Sequence, residues 1–367
     1  MSWIGLTDLH KSLFNPNGLG QKSAPRSAHN DGVPNHHILA LGTLMLETRF
    51  HAEEDDLQEV LTYDRHKEWH RQLSLTLSST GELVMQFRQG EATLEARLVF
   101  PVPPRDSRLR ISYAWNGPER WARLSVEMLA TGEVFSTRVD GPLPVPEVDA
   151  ITIMRNGRAT NIAKDVDFVA ISDELEPVFM PLGFCVGAPI ATPSGPVPIE
   201  RLRLGDMVTT AARGAQPVRW IARRTVPALG ALAPVQLRAP FLGLTQDIAV
   251  SPNHMISVNG AEAEYLVGHD DVMIEARQLI TGPAAARNHF RGLVTYYHVL
   301  LDNHDCLLSE GIWSESLYVG QMSRDPERHA SSILAEMPLS AMPRHTPIER
   351  HRLADFEASS IAASLMS

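Results

Sequence analysis

From residue 42 onward, apolar and polar side chains alternate in short runs separated by turn residues, which predicts a succession of half-buried strands. Leu73-Ser74-Leu75-Thr76-Leu77 alternates strictly. Gly42–Phe50, Leu83–Arg88, Ala92–Phe100, Arg108–Trp115, Ala122–Met128, Val134–Val139 and Ala150–Met154 continue the series, with turns such as Thr80-Gly81-Glu82 and Gln89-Gly90-Glu91 between them. Short strands at this spacing predict an all-β sandwich over residues 41–176. The first 40 residues carry Asn-Pro-Asn-Gly (15–18) and Asn30-Asp31-Gly32 and read as a loop-rich lead-in. Residues 177–184 hold Pro177, Pro181 and Gly183 and read as an irregular linker.

A second strand-rich block covers 185–320, and a helical tail is expected over 321–367. Asp325 before Pro326 forms an N-cap and N1 pair for a helix running to about Met337. Thr346-Pro347-Ile348-Glu349 has the form of a capping box opening a second helix, with Ile348, Leu353, Phe356 and Ile361 as its apolar side. The fold class expected is therefore mainly β, in two domains, with a short helical end.

The 367 residues suffice for two cores, and the 44% hydrophobic and 21% charged composition is that of a globular protein. A net charge of −10 argues against a nucleic-acid partner, whose phosphates require a basic face. No apolar run is long enough for a membrane span. Met1–Asp8 has neither a basic n-region nor an apolar h-region, so a Sec-type signal is not expected. Two cysteines make no disulfide framework. A reducing, cytoplasmic setting fits this usage, with export by a route lacking an N-terminal Sec signal left open.

Cys185 stands at the start of the second block, with histidines far downstream. This is the pattern of a thiol nucleophile whose partners are assembled by folding. It lies in Gly183-Phe184-Cys185-Val186-Gly187-Ala188-Pro189-Ile190, followed by Leu204-Gly205-Asp206-Met207-Val208, Gln216-Pro217-Val218-Arg219-Trp220-Ile221, Asp247–Ile256 and Val294–Gly311. In this order the blocks resemble the Hint superfamily, the autoprocessing module of inteins and Hedgehog proteins. The likeness is greatest to its stand-alone bacterial branch. The resemblance implies a horseshoe-like all-β module in which Cys185 attacks the preceding peptide bond, making Phe184–Cys185 the scissile bond. Ser251-Pro252-Asn253-His254 matches the family's Thr-x-x-His motif. It implies His254 as the acid at the scissile nitrogen and Ser251 as the residue orienting that bond.

His304 matches the later histidine block. The thiol's base is read as His298, with Asp302 the other candidate, and Cys306 is read as core. Splicing needs a terminal asparagine, whereas Ile312-Trp313-Ser314-Glu315-Ser316 has none. The chemistry implied is therefore an N-to-S acyl shift without splicing. The thioester would be resolved by water, a small nucleophile or an amine acceptor, with the chain's own N-terminal part as substrate and no cofactor.

The run Leu109-x-Ile111-x-Tyr113-x-Trp115, then Trp121-x-x-Leu124-x-Val126-Glu127, is similar to concanavalin-A-like and laminin-G-like jelly rolls. In this class, loop aromatics, acidic residues and calcium often hold sugars. Trp69, Trp115, Trp121 and the run Glu53–Asp56 are the candidates for such a carbohydrate ligand, although core tryptophans and a solvated acidic loop are the plainer expectation. A carbohydrate- or surface-binding sandwich with a catalytically silent second domain is thus the alternative function. His36-His37 reads as a solvated pair. No metal site is assigned, and a metal-dependent hydrolase is disfavoured on the expectation that none of the 15 histidines falls in a His-x-x-x-His or His-Glu-x-x-His pattern with carboxylates.

Overall fold

The strands expected over residues 41–176, except Ala150–Met154, form two sheets in the computed structural model. It describes residues 3–8, 10–20, 26–27, 37–51, 57–104, 106–280, 283–288, 292–320 and 322–364. The expected acidic run Glu53–Asp56 and His36 lie outside these. The chain divides into two units, Met1–Val178 with Leu229–Ala231, and Phe179–Ala228 with Leu232–Ser367.

In the first unit, Thr160–Ile162, Gln58–Arg65, Arg71–Ser78, Glu82–Gln89 and Ala92–Val99 pair in that order as a five-stranded antiparallel sheet. Its inward positions, Leu73, Leu75, Leu77, Leu83, Met85 and Phe87, are buried, and their neighbours along each strand are not. The facing sheet has eight strands: Glu133–Asp140, Trp121–Met128, Arg108–Asn116, Leu41–Arg49, Val166–Ser172, Trp3–Thr7, Ser12–Phe14 and Arg26–Ser27. Its inner face joins the same core through Leu44, Leu46, Leu109, Ile111, Leu124 and Val126, completing a β-sandwich.

Two expectations for this unit are corrected. The opening segment, read as loop, supplies the wholly buried strand Trp3–Thr7, which pairs with Val166–Ser172. Five residues without polar alternation carry too little pattern to register. The expected strand Ala150–Met154 is the end of a helix, Glu147–Met154. Its Val, Ile and Thr content reads as β, but the helix is buried on nearly every side and so lacks the polar face that gives a 3.6-residue period. The signals that did mark it were Pro146 just before it and Glu147 and Asp149 in its first turn.

The second unit is built on one twelve-stranded sheet. Along it run Ala285–Arg287, Val235–Leu237, Ile248–Val250, Phe184–Cys185, Leu293–Leu301, Gly214–Pro227, Met207–Thr210, Cys306–Ser309, Ile312–Glu315, Met255–Asn259, Asp271–Glu275 and His351–Arg352. The 14-residue strand Gly214–Pro227 joins its two halves. Its first residues pair with Met207–Thr210, and from Val218 it pairs with Leu293–Leu301, with an irregularity between Val218 and Trp220. All pairings are antiparallel except that of His351–Arg352 with Asp271–Glu275.

The tail departs from expectation. Asp325 does cap a helix, accepting from the Glu327 and Arg328 N–H groups, but the helix is only Pro326–Ala330. No helix opens at Pro347. There the chain is extended, because neighbours recruit its groups: Ile348 N–H donates to His304 Nδ1 and Arg350 Nε pairs with Asp271. The helix comes later, Asp355–Ser364, with Ala358, Ile361 and Ala362 buried while Phe356 is exposed. Among the described residues, no helix is long and apolar enough to cross a membrane.

Candidate active site

Phe184–Cys185 is a two-residue strand held on both edges, Phe184 opposite Val250 on one side and Tyr297 on the other. The segment before it is not a free linker. Ser251 Oγ donates to Leu182 O at 2.7 Å and Ser251 N–H donates to Gly183 O at 2.8 Å. Gly183 passes so close to the next strand that a Cβ would lie 2.5 Å from Tyr297 O and 3.0 Å from the His298 ring. Phe184 is fully buried and Cys185 is 7% exposed. Burial pushes the Cys185 thiol up to about 12, so it rests protonated.

The Ser251–His254 turn follows strand Ile248–Val250 and closes with His254 N–H donating to Ser251 O, Pro252 occupying its second position. It is clamped from the far side by Ala276 N–H on His254 O and Arg277 N–H on Pro252 O. This sets the His254 ring edge-on to the Phe184 ring, centroids 4.5 Å apart, and 5.3 Å from the His298 ring. Among the described residues, neither nitrogen of His254 has a hydrogen-bond partner. Burial, and then the neighbouring His298, hold His254 well below the ordinary imidazole value, so it is neutral.

His298 spans the two ends of the module, its Nδ1 lying 3.1 Å from Pro181 O and its Nε2 3.1 Å from Glu315 O. A neutral ring can donate to only one of these carbonyls and an imidazolium to both. Burial lowers His298 nonetheless, against the pull of both carbonyls. Its nitrogens face these carbonyls rather than Cys185. His304 belongs to a separate group. Its Nε2 is 3.0 Å from Glu315 Oε1, and its ring lies against Tyr318 and His345. Glu315 also accepts from Arg352. Burial alone would raise Glu315, but His304 and Arg352 outweigh it and hold the carboxyl below its usual value.

The remaining candidates fall elsewhere. Asp302 is committed to Arg219 through two contacts, 2.6 and 2.7 Å. Cys306 sits in a small apolar cluster with Met255 and Met273, its sulfur approached by Arg350 Nη1 at 2.8 Å. Glu315, Gly183 and His345 were not found from the sequence. Gly183 stood in the cysteine block without a role and the other two in no motif, and each matters through a contact more than ten positions away.

In the sandwich, Trp115 is core, with its Nε1 donating to Leu39 O, so it presents nothing to a ligand. Trp121 donates to Glu119, and Trp69, at 40% exposure, is the most open of the three. His37 lies beside Glu147. Among the described residues, the side chains around Cys185 gather no set of three metal-ligating atoms. The one such group is Asp64, His66 and His70, on the sandwich. His66-Lys67-Glu68-Trp69-His70 is a His-x-x-x-His spacing beside Asp64, which corrects the expectation that the chain has none.

The module is mainly β and opens with a cysteine, with a Ser-x-x-His turn against the residues before it and its two ends held on one histidine. Residues 182–321 match the family model of the Hint domain (Hint_2), and this part of the chain is a Hint domain. No functionally curated protein matches the chain by sequence.

Among solved structures, the CBM40 module of Ruminococcus gnavus IT-sialidase bound to α2,3-sialyllactose is similar at 15% identity and a TM-score of 0.24. The match covers 36% of this chain and 62% of that one. The LG1–3 region of the laminin α2 chain is similar at 9% identity and a TM-score of 0.27, covering 87% of this chain and 57% of that one. At such scores the strand order described above, not the likeness, defines the sandwich.

Proposed function

We propose that the protein cleaves its own Phe184–Cys185 bond. Cys185 Sγ attacks the Phe184 carbonyl carbon, the C–N bond breaks, and residues 1–184 are left as a thioester on Cys185 while its nitrogen becomes a free amine. The thiol proton is the one the leaving nitrogen needs. His254, neutral and uncommitted at both nitrogens, is suited to carry it. Ser251 fixes the bond by gripping Leu182 and Gly183. His298 holds the two flanks of the module together and acts as base only on releasing a carbonyl. His304, paired with Glu315, holds the C-terminal flank. Water, a small thiol or an amine then resolves the thioester.

The observation that carries this reading is the docking of the Ser251–His254 turn on residues 182–184, with an unpartnered imidazole against the scissile residue. The test is mass spectrometry of the full chain incubated with hydroxylamine, which intercepts thioesters. Fragments 1–184 and 185–367 are expected from wild type and not from Cys185→Ala, and no spliced product should appear. A folded chain that stays intact through long incubation overturns the proposal. It would leave a carbohydrate-binding sandwich with a silent Hint domain, a reading favoured by the open Trp69 and tested by glycan binding.

A further inference from the structure

The hairpin formed by Gln58–Arg65 and Arg71–Ser78 pairs Asp64 with Gln72 and Arg65 with Arg71, leaving His66–His70 as its loop. Glu68, at φ 70°, turns the chain back on itself. The turn stacks His66 on His70, with ring centroids 4.1 Å apart and planes 15° apart. Both Nε2 atoms then point at one oxygen, Asp64 Oδ1, at 3.2 Å from His66 and 3.0 Å from His70. The three atoms all lie within 4.8 Å of one another.

We propose that Asp64, His66 and His70 form a three-ligand site for a divalent transition metal, with Zn2+ as the representative ion. Ligand atoms held about 2.0–2.1 Å from one such ion lie about 3.0 Å apart at octahedral angles and about 3.4 Å apart at tetrahedral ones. The two nitrogen–oxygen separations fall in that range, so an ion can enter with small side-chain adjustment. Two imidazole nitrogens and one carboxylate oxygen suit Zn2+, Ni2+ or Cu2+. Ca2+ and Mg2+ take oxygen sets. On binding, each ring presents the Nε2 lone pair and keeps its proton on Nδ1.

The loop is fixed before any ion arrives. Gly90 N–H donates to His70 O at 2.7 Å, Trp69 Nε1 donates to Gln89, and the Arg71 guanidinium lies 4.4 Å from the centre of the Trp69 ring. Ligands carried on a braced hairpin lose little freedom on binding. Three protein ligands leave the remaining positions of the ion to water, open to exchange, as in sites that act on or hold a second molecule.

The test is titration of the metal-free full chain with Zn2+ by calorimetry, with Ca2+ in parallel. One equivalent of Zn2+ should bind, and Asp64→Ala, His66→Ala and His70→Ala should each weaken it at least tenfold. The His66 side chain is 72% exposed, so His66→Ala tests the site without risk to folding. Absence of Zn2+ uptake overturns the proposal. So does uptake that the triple Ala variant leaves unchanged, since the ion would then sit elsewhere, or equal binding of Ca2+ at these residues.

Discussion

Gly183 has a neighbour where its side chain would be. A methyl group there would meet Tyr297 O, a backbone atom that cannot swing aside, and the His298 ring. Gly183→Ala should therefore shift the segment before Cys185 and cost about 1–3 kcal/mol in strain. A displacement near 1 Å at the scissile bond should slow hydroxylamine-dependent cleavage by roughly 100-fold. Thermal unfolding and fragment yield together check this, and a variant with wild-type values for both would show that the close approach is no constraint. At this scale the sequence disclosed what motifs carry. That Ser251 and His254 lie beside the residues preceding Cys185 was legible, because the types and order of these residues are local. His298 was legible as a residue but not as the staple between Pro181 and Glu315, a contact that depends on where residues 181 and 315 end up. Trp115 lies in the core, the plainer of the two expectations for it.

Among the elements, amphipathic strands were legible, and two of the elements buried all round were not. Leu73–Leu77 announced itself by alternation, whereas Trp3–Thr7 and Glu147–Met154 have no exposed face and so no period. The tail was half legible. The Asp325 cap is local and formed as expected, but the apparent capping box at Thr346 lost to tertiary contacts made by Ile348 and Arg350. The helix that does form, Asp355–Ser364, is part of the second unit's core, since Ala358, Ile361 and Ala362 pack with Phe184, Val250 and Ile256 in one cluster. Ile361→Ala should accordingly cost about 2–5 kcal/mol, the range for emptying a buried aliphatic site. Phe356→Ala, at a side chain 75% exposed, should stay within about 0.5 kcal/mol. Urea unfolding of both variants decides the matter; equal effects would mean that the helix is not anchored by Ile361.

For the whole molecule, the two units carry buried titratable groups of opposite tendency, and their stabilities should separate with pH. In the second unit His254 and His298 are both lowered, chiefly by burial. Unfolded, each imidazole takes up a proton near pH 6.5. Below that pH the unfolded chain binds protons that the fold excludes, so stability is full above about pH 6.5 and falls as pH drops toward the depressed folded values. The slope approaches about 1.4 kcal/mol per pH unit for each excluded proton, hence about 2.7 for the pair. His345 is also lowered by burial and acts in the same sense.

In the first unit, burial raises Asp149 despite the Tyr63 hydroxyl at 2.5 Å and the nearby Arg71. Between the unfolded value and the raised folded one, the fold keeps a proton that the unfolded chain has released. This contribution is fully present below the unfolded carboxylate value and is lost as pH rises through the folded one, so mild acid favours this unit. Calorimetry of the full chain between pH 8 and 5 should show the Hint unit's transition moving to lower temperature below about pH 6.5 while the sandwich's does not follow. His298→Gln should remove part of that movement, because glutamine offers no proton site. A Hint transition that stays fixed from pH 7 to 5 would mean that these imidazoles are protonated in the fold. The neutral His254 on which the proposed proton transfer depends would then be gone.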